Sequence, residues 1–262
     1  MKTSKIIFGF IISILMVGML AACGTNQEQG TEGTNEEKKK LVMATSADYP
    51  PYESTDTATN EIVGFDVDIA KYITNELGYE LEIVDIDFNS LITAMNAGKA
   101  DFILAGMTPN EDRKKNADFS DIYFTAKHLV VTKKDSGIET NADLAGKTVG
   151  VQTGSIQEGI AETLTETVDL KVESRNRIPE IVQEILAGRF DAAIIENTVA
   201  EGHFKNNPEL TGFEVEGAEE AGSAIAFKKG SELTEEFNRV LNEMKENGEL
   251  EKLVVKWFAG EE

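Results

Sequence analysis

The sequence predicts an α/β protein built from two open sheets, each carrying helices on its faces. Strand and helix signals alternate over 41–227, an order that makes the sheets mostly parallel. A segment also recurs: AGKADFILAGM at 97–107 aligns without gaps with AGRFDAAIIEN at 187–197, matching Gly106 of the first half to Glu196 of the second. With 262 residues the chain has room for two small cores or a single large one.

The first residues read as an address. Lys2 and Lys5 precede an apolar run over 6–20, shorter than the roughly 20 residues that span a bilayer. Leu20-Ala21-Ala22-Cys23-Gly24 follows and holds the single cysteine. These residues resemble the lipobox of bacterial lipoproteins, which implies cleavage before Cys23 and a lipid on its sulfur. A plain secretory signal or an uncleaved anchor would share the charged start, but would leave the placing of Cys23 to chance. Residues 24–40, GTNQEQGTEGTNEEKKK, carry no apolar side chain to bury, so they read as a tether. The predicted domains are a lipoprotein signal peptide over 1–22, the lipidated Cys23 and its tether over 23–40, one lobe from 41–127 plus 223–262, and a second from 128–222.

The elements of the folded body follow in order. LVMA at 41–44 is a buried-strand run, ending in a turn-rich stretch over 46–51. Phe65, Ile69, Ile73 and Leu77 recur at helical spacing, and Gly78 supplies the stop. A strand over 81–84 follows, then a helix carrying Leu91, Ile92 and Met95, with Asn89 or Ser90 as its cap and Gly98 at its end. DFILA at 101–105 is the next strand. The second half repeats the order: a strand over 147–151, a helix from about Ser155, a strand over 170–173, a helix opened by Pro179 with Ile181, Val182, Ile185 and Leu186, and a strand over 191–195. Strand-like 224–227 and an amphipathic helical stretch over 233–258, broken at Asn247-Gly248, close the chain. The chain is expected to cross between the sheets at 125–131 and 219–223, as a two-strand hinge.

Open parallel sheets bind ligands beyond the carboxyl ends of their strands. Facing sheets would therefore gather 45–52, 105–113, 152–157 and Glu196 around a single cleft. In 105–113, AGMTPNEDR, small residues let backbone approach a ligand, Thr108 offers a hydroxyl, and Arg113 offers a fork that fits a carboxylate. Arg113 could instead pair on the surface with Glu111, Asp112 or Asp118. In VGVQTGSIQ at 149–157 a strand, a glycine turn and a Ser-led helix start leave N–H groups for an anion; an ordinary capped helix has the same pattern, and no P-loop Gly-Lys-Ser/Thr follows. Glu196 ends an apolar strand, where a desolvated carboxylate wants a cation. Tyr49 and Phe88 are candidate walls, unless they are core. Asp48, Glu53 and Asp66, with Gln152 and Gln157, add negative and polar character. A fork for a carboxylate, an acid for an ammonium and aromatic walls complement a zwitterionic α-amino acid, and the extra acids favour a basic side chain.

Composition excludes other classes. Twenty-five Lys plus Arg against 47 Asp plus Glu give a net charge of −22, which disfavours nucleic acid and docking on anionic membranes through a basic patch. One cysteine and two histidines leave no expected metal site and no disulfide within the chain. His128 and His203 read as surface or hinge residues.

TSADYPPYE, VGFDVDIA, FNSLITAMNAGKADFILAGMTPNEDRKK, DFSDIYF, GKTVGVQTGSIQ, RFDAAIIEN and the final KWF together resemble the polar amino-acid-binding proteins of ABC importers, solute-binding protein family 3, and most of all its Gram-positive basic amino-acid-binding lipoproteins. The likeness covers roughly 41–260. It implies a periplasmic-binding-protein-like type II fold, two α/β lobes on a two-strand hinge that close on the ligand. It implies that Arg113 clamps the α-carboxylate, with N–H groups near Thr108, Ser155 and Ile156. Glu196, the Gly106 carbonyl and the Thr108 hydroxyl would hold the ammonium, between Tyr49 and Phe88. Relatives for glutamine and histidine carry Asp where this chain has Ser46, so Asp48, Glu53 or Asp66 would supply the charge for a basic side chain, with Gln152 nearby. The implied partners are a free basic amino acid (arginine first, then lysine or histidine), an ABC permease with its ATPase, and the membrane through lipidated Cys23. The protein is expected to be an extracytoplasmic monomer, without cofactor and not an enzyme. The alternatives are glutamine or another polar amino acid, a dehydratase-type enzyme on the same scaffold with Glu196 as its acid or base, and a sensory role needing a separate receptor.

Overall fold

The computed structural model describes residues 39–259. The signal peptide, Cys23 and all but the last two residues of the expected tether lie outside them. Among the described residues no helix is long and apolar enough to cross a membrane.

The first half runs β1 (Lys40–Thr45), β2 (Asp48–Tyr49), β3 (Glu53–Thr55), β4 (Ile62–Val63), α1 (Phe65–Glu76), β5 (Glu80–Asp85), α2 (Leu91–Asn96), β6 (Phe102–Ile103), α3 (Glu111–Asn116), β7 (Asp118–Phe119) and β8 (Phe124–Ala126). The second runs β9 (His128–Lys133), β10 (Thr148–Gln152), α4 (Ile156–Leu164), β11 (Lys171–Arg175), α5 (Ile178–Leu186), β12 (Ala192–Glu196), α6 (Asn197–Asn206) and β13 (Leu210–Glu214). The chain then returns through β14 (Ala221–Ser223) and β15 (Ala226–Phe227) to α7 (Leu233–Glu246) and α8 (Glu249–Phe258).

Two five-stranded sheets result, ordered β5-β1-β6-β15-β7 and β11-β10-β12-β9-β13. β1 in one sheet and β10 in the other each lie between two parallel neighbours. The remaining strands are antiparallel: β15 to β6 and β7, and β9 to β12 and β13. The sheets are thus mixed, where the alternating order predicted mostly parallel ones. A strand that has just crossed from the other sheet enters from the opposite end and so runs against its neighbours. For the same reason the crossing expected at 125–131 is shorter. His128 already belongs to β9, and the ribbon between the sheets is β8 paired antiparallel with β14.

The recurring segment is a repeat of structure. Gly98 and Gly188 both take positive φ, 81° and 71°, past the ends of α2 and α5. The next N–H groups, of Lys99 and Arg189, reach back to the carbonyls of Ala94 and Glu184 at 3.0 and 2.9 Å, closing the same glycine-terminated helix end. Asp101 then accepts from the Val42 N–H and Asp191 from the Thr148 N–H, each at 2.8 Å, so an equivalent acid stitches the third strand to the first in both halves. DFILA is a shorter strand than predicted, with only Phe102 and Ile103 in the ladder. Neither Asn89 nor Ser90 caps α2 with its side chain, because a 3-10 turn over Phe88–Ser90 already leads into it.

Helix α1 buries Phe65, Ile69 and Ile73, and α5 buries Ile178, Ile181, Val182 and Ile185, each stripe against its own sheet. The last helix extends the packing to the ribbon. Phe258 stacks on Phe124 with centroids 4.3 Å apart and meets Phe65 and Tyr52 edge-on at 4.9 and 5.3 Å. Trp257 and Lys256 both donate to Asp68 in the first turn of α1, at 2.8 and 2.7 Å, which accounts for the terminal KWF.

Candidate functional site

The loops beyond the carboxyl ends of β1, β6 and β10 meet around a small cavity. It is lined by Asp48, Tyr49 and Glu53 from the first loop, Phe88 from the turn before α2, and Gly106, Thr108 and Arg113 from the third. Gln152, Ser155 and Ile156 complete it from the second sheet, joined by Ser46, Ala105 and Gln157. Ten predicted site residues therefore line one cavity. The remaining two, Glu196 and Asp66, do not.

Arg113 stands on α3, whose N-cap Asn110 accepts the Arg113 N–H at 2.8 Å. Its guanidinium donates to the carbonyls of Thr108 at 2.7 Å and Gly154 at 2.9 Å and lies 5.1 Å over the Phe88 ring. The acids that could have claimed it are taken by lysines: Glu111 by Lys114, Asp112 by Lys115 and Asp118 by Lys229. Burial lowers the pKa of Arg113 to about 10, which leaves it charged at neutral pH. Opposite it, Ser155 caps α4 by accepting the Glu158 N–H at 3.1 Å. The first N–H groups of a helix have no partner within it, so this end adds positive potential to the Arg113 side of the cavity.

The other side is acidic. Glu53 is fully buried, and neither of its oxygens has a donor. Burial and the neighbouring acids Asp66, Asp48 and Glu196 push its pKa well above the ordinary carboxylate range. Asp48 also lines the cavity, but its carboxylate is spoken for. It accepts from Ser46 Oγ at 2.6 Å, the Ile178 N–H at 2.7 Å and Gln152 Nε2 at 3.3 Å. It therefore ties the two sheets together. Arg177 reinforces the tie, donating to Asp87 at 2.8 Å and Asp85 at 2.9 Å, with Asp48 at 3.6 Å.

Asp66 sits behind Glu53 and accepts the Gly106 N–H and the Tyr123 hydroxyl, each at 2.8 Å. Glu196 is buried at the end of β12, outside the cavity lining, and its Oε1 is engaged by the Tyr52 hydroxyl and by Thr198 Oγ1 at 2.7 Å. Its other oxygen makes no hydrogen bond among the described residues. Burial raises its pKa to about 7. Two nearby phenol and hydroxyl donors thus capture the acid that sequence position alone aimed at the cleft.

His128, expected at the surface or in the hinge, is instead buried at the start of β9, just past the ribbon, with its ring 3.4 Å from Gln157 Nε2. Arg177, Asp85 and Asp87 were missed, since no local pattern links residues 90 or more apart. Among the described residues no group of three His, Cys, Asp or Glu is spaced to hold a metal ion. A larger, more open groove of about 700 Å³ runs past Ile122, Ile160, Leu164, Val215 and Glu219. It lacks the opposed cation and acid of the small cavity, which is the better ligand site on chemistry.

A sequence model of bacterial extracellular solute-binding proteins, family 3, matches residues 41–260. The arginine-binding extracellular protein ArtP of Bacillus subtilis is 54% identical over 96% of this chain and 97% of its own. Among solved structures, an ancestral arginine-binding protein bound to arginine superposes with a TM-score of 0.79 at 39% identity, covering 84% of this chain and 99% of its own. An amino acid ABC transporter substrate-binding protein from Streptococcus pneumoniae, AbpA, bound to L-arginine, gives 0.78 at 36% identity, covering 84% and 94%.

Proposed function

The chain belongs to the bacterial extracellular solute-binding proteins, family 3, and from that premise we propose that L-arginine is the solute it captures and delivers to an amino-acid ABC transporter. The observation that carries this reading is a cation and an acid, each without a counter-ion, lining the same small cavity. Arg113 is a half-buried cation whose side chain bonds only to carbonyls, and Glu53 is a buried acid with no donor. A buried charge of either sign seeks a counter-charge, and a zwitterion with a cationic tail supplies both.

In this reading Arg113 and the start of α4 receive the α-carboxylate. The ammonium lies near Thr108 and the Gly106 carbonyl, and the guanidinium faces Glu53 between Tyr49 and Phe88. Asp48 holds the sheets together rather than reading the side chain. Lysine and histidine rank next as ligands, and glutamine is the neutral alternative. The names of the similar proteins, three of which bind arginine, support the ranking. No covalent bond changes: the protein closes, carries and releases.

The lobes would be 41–127 with 223–262, and 128–222, hinging at the β8–β14 ribbon. Cys23, in the lipobox-like Leu-Ala-Ala-Cys, would anchor the protein beside a permease and its ATPase, as a monomer. Calorimetric titration of the protein with the twenty L-amino acids tests the reading. Arginine should bind tightest, lysine and histidine more weakly; saturation by none of the polar amino acids would refute it.

A further inference from the structure

Glu53 and Asp66 leave three buried oxygens without a donor: both of Glu53 and Oδ1 of Asp66. Both side chains are fully buried, and the two carboxyls act directly on each other. Ionised carboxylates only accept, so two buried together without other donors can satisfy each other only if one holds a proton. Nothing else nearby replaces that proton. Asp48 on β2 and Glu196 at the end of β12, the charged groups acting on Glu53 besides Asp66, are acids. Asp66 takes the Tyr123 hydroxyl and the Gly106 N–H on its other oxygen. Glu53 faces the cavity and Asp66 lies behind it.

We propose that Glu53 and Asp66 share one proton, and that a cationic ligand side chain set against Glu53 displaces this proton to solvent while a neutral one leaves it in place. This rests on the reading that Glu53 faces the ligand's cationic end. When a guanidinium arrives, the shared carboxyl O–H breaks, its electron pair stays on oxygen, and the proton passes to a water or buffer base. The pair goes from one negative charge to two as one positive charge enters. A ureido or amide group meets the protonated pair as a hydrogen-bonding partner instead. The pair is thus a specificity element that changes charge with the ligand, with Asp66 acting as a positioning residue through Glu53. Such coupled carboxyls titrate as a unit. Burial raises both, Asp66 to about 7, which favours a proton on the pair.

The test is calorimetry at pH 7 in phosphate and in Tris, with L-arginine and with its neutral isostere L-citrulline. The dependence of the observed enthalpy on buffer ionisation enthalpy counts protons. Arginine should release about one proton more than citrulline, and its affinity should rise relative to citrulline's by up to about tenfold per pH unit while the pair is protonated. In Asp66→Asn the amide can donate to Glu53 while its oxygen still accepts from Gly106 and Tyr123. Arginine should therefore still bind, with the extra proton gone. Arginine binding without extra proton release in the native protein, or with release unchanged in Asp66→Asn, overturns this proposal alone. Absence of arginine binding overturns the functional reading and this proposal with it. If citrulline binds too weakly to titrate, the comparison of native protein with Asp66→Asn decides.

Discussion

Arg113→Ala is expected to weaken arginine binding by about 30-fold to several thousand-fold. Removing one partner of a buried, hydrogen-bonded charge pair costs roughly 2–5 kcal/mol, at about 1.4 kcal/mol per tenfold. Much of that loss is the ligand carboxylate left without its counter-ion in a closed cavity. The substitution should hardly alter the stability of the free protein, since Arg113 there makes two bonds to carbonyls and no ion pair. Thermal denaturation without ligand therefore separates lost binding from lost folding. Arg113→Lys should recover little, because a point ammonium cannot hold two carbonyls, stack on Phe88 and keep a fork for the ligand. Full affinity in Arg113→Ala would show that the carboxylate lies elsewhere.

Gly64→Ala is the second substitution with a large expected effect, and it acts on folding. Gly64 precedes α1 with φ at 150°, and a Cβ there would lie 2.0 Å from the Tyr52 carbonyl oxygen and 2.8 Å from Glu53 Cα. These are backbone atoms, so no side chain can swing aside. The same contact holds the helix start to the loop: the Phe65 N–H donates to Pro51 at 2.9 Å and the Asp66 N–H to Tyr52 at 3.0 Å. A methyl group must push apart α1 and the segment carrying Tyr52 and Glu53. The expected cost exceeds about 4 kcal/mol, in the range reserved for such steric conflicts, read as a large fall in the urea midpoint or loss of folded protein. Gly159→Ala, in α4 with no atom within 4 Å of the new Cβ, is the control and should be neutral or slightly stabilising. Equal midpoints for the two would refute the packing argument.

Features written in short spans of chain were legible in the sequence. The helix end at Gly98 and Gly188 and the stitching Asp101 and Asp191 recur because turn chemistry is local. The cavity lining was legible because each strand hands its loop to the same end of its sheet. Strand direction was not. His-Leu-Val-Val-Thr-Lys reads equally well as a crossing or as β9, and only the neighbouring β12 and β13 decide it. The fates of the acids were also hidden. Asp48 accepts from Ile178, 130 residues away, and one oxygen of Glu196 from Tyr52, 144 residues away. Glu53 is set apart by what it lacks, a donor, and a missing partner has no sequence pattern. Burial and pairing are properties of the assembled sheets.

The central claim is that the cavity binds a carboxylate at Arg113 and a cationic tail at the acidic end. Its most direct measurement is calorimetry of agmatine, which is arginine without the carboxylate, beside L-arginine on the native protein. Agmatine should bind weaker than arginine by as much as Arg113→Ala weakens arginine, and its affinity should be unaffected by that substitution. Agmatine binding as tightly as arginine would contradict the account.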